Sequence, residues 1–567
     1  MKEYIITCRN YEDLKSLYDD LETPGGSHYI PNRSVELIHR RSISRNTHYR
    51  LTEDEAIQIR EDDRVIACEL LPHERGIVEG ELWEQTGNFN KTSGTFSSNS
   101  KNWGLWTVNR GDTVSGWGSD GSQTEITNQN IKTTASGRNV DVVIVDSHIN
   151  PDHPEFAVNV DGTGGSRVNQ FNWFSYSSAL GYSTNANYRY DLGTSSHGTH
   201  VAGTTAGNTQ GWARDANIYN MEFGSYAGSD SINDLQGVNG LWTNMLWDYL
   251  RYFHKNKSIN PSTGRRNPTI TNHSWGYFYS SSLLSNTTSV TYRGTTTDLS
   301  SMTNIQKRNA LVSNGCPVTG YTSFVSTSSM LRMPARNTAV DADIQDAIND
   351  GVIVISASGN SYWNCDVSGG VDYNNYVVYS GSDRYHSRGS TPAAADNVIC
   401  VGNVGSKVSE YKRNSSNWGK RVEIWAPGSD IISAIKNSSV PSSYYPVVTD
   451  PRNSNYYLAS ISGTSMASPQ VCGVIACLAE QEENITQAEA LQHLIENSKP
   501  NINSYNNFPN NSPYWGFPAS SNNNRYVFMP KKRSDTGMAS PAVLHKNRNT
   551  STQKYPRVRY NRVYSTS

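Results

Sequence analysis

Residues 139–146, Asn139-Val140-Asp141-Val142-Val143-Ile144-Val145-Asp146, decide the fold class of this 567-residue chain. They form a short, continuous apolar run, the pattern of a strand buried on both faces of a parallel sheet, and the run ends in a carboxylate. In open α/β sheets, ligands and chemistry sit beyond the carboxyl ends of such strands. Residues 351–360 repeat the pattern as Gly-Val-Ile-Val-Ile-Ser-Ala-Ser-Gly-Asn, which places Asn360 just past a strand end. Residues 397–402 and 422–428 read as further buried strands. The expected architecture is α/β, a mostly parallel sheet with helices on both faces.

Two helix starts add chemistry to that frame. Residues 462–469 read Ser-Gly-Thr-Ser-Met-Ala-Ser-Pro and put Ser465 at the mouth of a buried helix. Downstream, Val471, Val474, Ile475, Leu478 and Ala479 recur at helical spacing, and Pro469 is expected in a first turn, where no N–H bond is lost. A serine there has a free backbone N–H and the positive end of the helix dipole beside it, as a nucleophile that develops an oxyanion requires. Read alone, it is a helix N-cap. Residues 196–204, Ser-His-Gly-Thr-His-Val-Ala-Gly-Thr, put His197 at the start of a second helix. His197 and His200 have metal-ligand spacing, but no nearby acid or cysteine completes a set. Asp146, His197 and Ser465 together supply an orienting acid, a base and a nucleophile. Acid, then histidine, then serine is one of three chain orders known for this geometry.

These blocks resemble the signatures of the subtilisin-like (peptidase S8) serine proteases. The resemblance implies a serine endopeptidase with a polypeptide substrate, in which Asp146 is the acid, His197 the base and Ser465 the nucleophile. It also implies that Asn360 donates its side-chain N–H to the tetrahedral oxyanion. Residues 269–276, Thr-Ile-Thr-Asn-His-Ser-Trp-Gly, resemble the family strand that lines the cleft. Ser274, Trp275 and Gly276 would then edge the substrate pockets, opposite Ala357, Ser358 and Gly359, and an extended peptide would pair by strand addition. His273 is assigned no role. The chemistry implied needs no cofactor. Glu155 matches a calcium ligand of some subtilisins, but residues 206–211 are too short for their calcium loop, so a structural calcium lacks support and no metal ligands are assigned.

Two rival readings are weaker. Residues 463–467 approximate the nucleophile elbow of α/β-hydrolases, which need an acid and then a histidine after the serine. Glu480, Glu482 and Glu483 do precede His493, but all lie on or beside helices rather than strand-end loops. A catalytically inert or virion-associated scaffold on the same fold is the other rival. Intact Asp146, His197, Asn360 and Ser465 weigh against it.

The net charge of −2 gives no global field toward nucleic acid or membranes. Apolar residues make up only 35%, which suits a compact core wrapped in long polar loops. No apolar run approaches a membrane span, and Met1-Lys2-Glu3-Tyr4 lacks a secretory apolar segment, so an intracellular or virion-associated location is the expectation. Seven cysteines are too few for a disulfide framework, and Cys472 and Cys477 read as buried thiols. Cys8 and Cys68 sit on strands that can be neighbours.

Four regions are expected. Residues 1–73 show a βαββαβ order, with a capping box at Thr52-Glu53-Asp54-Glu55, and so a small ferredoxin-like α+β domain. This domain resembles the inhibitor-like propeptide of subtilases, a partner in cis that plugs the site and is cut off by the enzyme between about 70 and 102. Residues 74–101 read as a polar linker and 102–500 as the catalytic domain, with a Ser/Thr/Tyr-rich insert at 277–340 that acts as a specificity lid or as surface decoration. Residues 501–567 are polar and then basic, with Lys531, Lys532, Arg533, Lys546, Arg548, Lys554, Arg557, Arg559 and Arg562 facing only Asp535. Such a tail suits an acidic partner or a solvated arm.

Overall fold

The computed structural model describes residues 1–29, 34–41, 43–71, 83–91, 96–110, 125–133, 135–182, 188, 190, 195–223, 241, 243, 245–279, 282–318, 329–330, 332–406, 412–436, 444, 446–482, 484–500, 525–527, 538–539, 545–550 and 553–558. It divides into two compact units, Met1–Gly80 and Glu81–Ser567.

In the first unit, Lys2–Cys8 lies between Asn46–Leu51 and Val65–Leu70 in a four-stranded antiparallel sheet, with Glu36–Arg40 at the far edge. Helices Leu14–Glu22 and Glu53–Arg60 complete the expected βαββαβ order. Tyr4, Ile6 and Cys8 alternate inward against Leu17, Leu21 and Ile59, as the period of two along a half-buried strand requires. The capping box forms: Glu55 N donates to Thr52 Oγ1 at 3.3 Å, and Thr52 N donates to Glu55 Oε2 at 2.8 Å. Cys8 and Cys68 are on adjacent strands, and both are buried free thiols.

The second unit is built on a nine-stranded sheet. Its order is Lys499–Pro500, Arg525–Tyr526, Ile424–Pro427, Ile399–Val404, Ile353–Ala357, Thr269–His273, Asp141–Asp146, Asn217–Glu222 and Val168–Asn169. All pairings are parallel except that of Lys499–Pro500 with Arg525–Tyr526. Every residue of Asp141–Asp146 is buried, which explains its unbroken apolar run. Val142 and Ile144 face one core with Val201, Val471 and Ile475, whereas Val143 and Val145 face another with Trp247, Leu250 and Ile344. After Asp146 the chain builds Val168–Asn169 and Asn217–Glu222 on one side, then crosses to Thr269–His273 on the other. That reversal opens a crevice at the carboxyl ends of the central strands.

Three stretches differ from the sequence expectation. Within the expected linker, Trp83–Asn90 and Ser100–Asn102 form strands in a small sheet with Glu125–Thr133, because Phe89 and Ile131 bury apolar surface there. At the other end, the main sheet takes Arg525–Tyr526 from beyond 500; Tyr526 and Val527 are buried, and Tyr526 Oη lies 2.7 Å from Thr107 Oγ1. The insert contains its own helix, Asn304–Ser313, and strands Thr287–Tyr292 and Thr295–Asp298. These share a core with Trp363, Cys365 and Val377, which lie outside the insert. The side chains of the basic tail lie outside the described residues. No helix among the described residues is long and apolar enough to cross a membrane.

Candidate active site

Asp146 closes its strand with its carboxylate buried, and Oδ1 accepts from Ser147 N at 2.7 Å and from His197 Nδ1 at 2.8 Å. His197 opens the helix His197–Ala206. The approach is close because residue 198 is glycine: a Cβ there would lie 2.1 Å from the Ser147 carbonyl oxygen. Gly198 N instead donates to Ser147 Oγ at 2.9 Å, pinning the helix start to the strand end. Burial works against a charged His197 ring, but the charge of Asp146 and its hydrogen bond outweigh burial and raise the imidazole pKa above 6.5. Bonding to Nδ1 directs Nε2 away from Asp146.

Ser465 is the second residue of the helix Thr464–Gln481. Pro469 therefore falls in the second turn rather than the first, and it removes the N–H that would have bonded the Ser465 carbonyl. Ser274 Oγ supplies that bond instead, at 2.9 Å, and Ser465 Oγ donates back to the Ser274 carbonyl at 3.1 Å. This reciprocal pair fastens the helix start to the cleft strand. In this structure the Ser465 hydroxyl is bonded to Ser274, not to His197.

Asn360 follows the strand Ile353–Ala357. Its Oδ1 accepts from Thr464 N at 2.8 Å and from Thr464 Oγ1 at 3.1 Å, so Nδ2 is left as the outward donor, one residue from Ser465. Asn417 holds the same loop. It donates to the Ser358 carbonyl at 2.8 Å and accepts from Ser361 N and Trp363 N at 3.1 and 3.0 Å. Gly359 turns with φ +104°, and a Cβ there would lie 2.5 Å from Asn417 Nδ2.

A cavity of about 590 Å³ opens beside Ser465 and Asn360. Ser274, Trp275 and Gly276 line it, as do Ala357 and Gly359. Ser358 does not: it is buried, and its hydroxyl donates to the Asn417 carbonyl. Sequence reasoning did not single out Asn417, Thr464, Tyr277, Phe278 or Arg332, which also line the cavity. Thr464 was adjacent to the serine and could have been found; Asn417 lies in a polar loop with no local signal.

His200 and His273 are structural. His200 is buried with Nε2 at 2.9 Å from the Ile431 carbonyl, and burial pushes its pKa down to about 3. His273 is buried, stacks on Trp247 at 4.7 Å and is likewise pushed down by burial to about 3.

Glu155, the residue matched to a calcium ligand, is fully buried. Its carboxylate accepts from Thr209 N at 2.9 Å and Gln210 N at 3.0 Å, and it pairs with Arg452, which also holds Asp450 at 2.6 Å. Burial opposes its charge, but Arg452 and the Thr209 hydrogen bonds pull its pKa down to about 2. A donor set already filled by a guanidinium does not fit an added cation. Elsewhere among the described residues, Asp20, His28 and Asp62 come within 4.8 Å of one another. There Arg64 already contacts both carboxylates at 2.6 Å.

Comparison with known proteins places these features. The sequence pattern of the Subtilase family (Peptidase_S8) matches residues 137–522, more than half of the chain. "Subtilisin-like protease 10" of Arthroderma otae is 32% identical over 165 residues, 29% of this chain and 31% of that protein. "Subtilisin-like protease 3" of Trichophyton verrucosum is 35% identical over 112 residues, 20% of this chain and 23% of that protein. The matches thus span less than a third of the length of these curated relatives. A solved "cold adapted subtilisin-like serine proteinase" aligns with 73% of this chain and 97% of its own, at 20% identity and a TM-score of 0.39.

Proposed function

Because the chain belongs to the subtilase family, we propose that it is a serine endopeptidase in which Ser465 is the nucleophile, His197 the base, Asp146 the orienting acid and Asn360 an oxyanion donor. The observation that carries this reading is the 2.8 Å bond from His197 Nδ1 to the buried Asp146. It fixes the tautomer that leaves Nε2 free to accept a proton. Catalysis then requires the Ser465 hydroxyl to exchange the Ser274 carbonyl for His197 Nε2 as its acceptor.

In the proposed reaction Ser465 Oγ bonds to the scissile carbonyl carbon while its proton passes to His197 Nε2. The oxyanion formed receives N–H groups from Asn360 Nδ2 and from the Ser465 backbone at the helix start. The C–N bond then breaks, His197 returns the proton to the departing amine, and water releases the acyl group by the same proton route. Trp275 and Gly276 offer backbone to an extended peptide at the cavity edge.

The first unit is proposed as an inhibitory propeptide acting in cis. Strand Trp83–Asn90 belongs to the second unit's sheet, so a cut that leaves this sheet intact falls before Trp83. The region between Leu71 and Trp83 lies outside the described residues. The test is incubation of purified full chain: wild type shortens by the first unit and Ser465→Ala stays full length. Wild type that neither shortens nor reacts with a fluorophosphonate would favour the inert scaffold.

A further inference from the structure

We propose that Arg332 selects an acidic side chain, glutamate or aspartate, in the substrate residue whose carbonyl is attacked. The proposal rests on the endopeptidase reading and names its substrate class. The cavity beside Ser465 is also lined by Asn360 and by both proposed substrate walls, so the side chain entering it belongs to the residue bonded to Ser465. Of the described residues lining that cavity, Arg332 is the only charged one. Its neighbour Arg336 is already neutralised by Asp341 at 2.8 Å, whereas none of the described residues lining the cavity is a carboxylate that would neutralise Arg332.

The main chain holds Arg332 in register with the cleft segment. Tyr279 N donates to the Met333 carbonyl at 2.9 Å, and Ala335 N donates to the Tyr277 carbonyl at 3.1 Å. Trp363 Nε1 donates to the Arg332 carbonyl at 2.9 Å. The guanidinium lies over the Phe278 ring, with Cζ 4.6 Å from the centroid. A guanidinium placed over a ring still has its edge N–H groups to offer a carboxylate, and their fork geometry suits bidentate contact. The insert thus contributes both the cation and the ring that orients it.

The test uses the purified full chain, incubated until it has shortened, and matched fluorogenic peptides that differ only in Glu, Gln or Lys at the cleaved position. A charge-assisted contact of this kind predicts kcat/KM for Glu above that for Gln by about 10- to 100-fold. Arg332→Gln should level the two, Arg332→Lys should keep part of the preference, and Arg332→Glu should favour Lys. Fluorophosphonate labelling of Ser465 is measured on every variant, because it reports the folded site without reference to the peptide side chain. A labelled wild type that cleaves the Gln or Lys peptide as well as the Glu peptide overturns the role of Arg332 alone. An unlabelled wild type overturns the endopeptidase reading, and the proposal with it.

Discussion

Replacing Arg452 by methionine should be among the most destabilising single changes in the second unit. Arg452 is the cation that holds the fully buried Glu155 and Asp450. Lowering the Glu155 pKa from its ordinary 4.5 to about 2 corresponds to roughly 3 kcal/mol of folding free energy at neutral pH. Breaking a buried ion pair by removing one partner costs about 3–5 kcal/mol. The hydrogen bonds that Glu155 keeps from Thr209 and Gln210 place the expected loss at the lower end, about 3 kcal/mol. The sign with pH follows from the depressed pKa. Wild type has this stability in full above about pH 4.5 and loses it as pH falls toward about 2. In the variant, burial opposes the Glu155 charge with chiefly the Thr209 hydrogen bonds left against it, so the deficit is full at pH 7 and narrows on acidification. Urea unfolding of the Ser465→Ala background at pH 7 and pH 4 measures it, and Glu155→Gln combined with Arg452→Met should recover most of the loss. A deficit below about 1 kcal/mol at pH 7, or one that does not change with pH, would refute the pairing argument.

Three further outcomes are expected. Asp146→Asn should lower kcat/KM by about 10⁴-fold. Activity of wild type rises with pH as His197 loses its proton, with a midpoint above 6.5; in Asp146→Asn the midpoint should move down, because burial then acts unopposed. Asn360→Ala should reduce kcat by about 10²–10³-fold with little change in KM, as measured by steady-state kinetics. Ser274→Ala leaves the Ser465 carbonyl without its donor and should cost about 1–3 kcal/mol in denaturant unfolding. Adding Pro469→Ala, which returns the helical N–H to that carbonyl, should recover part of the loss.

What could be read from sequence follows from where each residue's constraint originates. The strand Asp141–Asp146 was legible because burial on both faces forces an unbroken apolar run. Asp146, His197, Asn360 and Ser465 were singled out because each lies at or just beyond the end of a regular element; the structure bonds Asp146 to His197, and Asn360 to Thr464 next to Ser465. Pro469 was misplaced by one turn, since the compensating donor, Ser274, is remote in sequence. Arg452 and Glu155 meet across the fold, and a lone arginine on a polar turn carries no signal of its partner. Arg332 was equally silent: its meaning arises only when Phe278 and residues 332–335 pair at the cavity. The strands Trp83–Asn90 and Arg525–Tyr526 were hidden by polar surroundings whose few apolar residues do not form a run.

Fluorophosphonate labelling followed by peptide mapping tests the nucleophile most directly. After an incubation in which wild type can shorten, it should carry one adduct on Ser465, Ser465→Ala should carry none, and His197→Ala should label far more slowly. Wild type that is folded and unlabelled, or labelled on a serine other than Ser465, would contradict the assignment of the site.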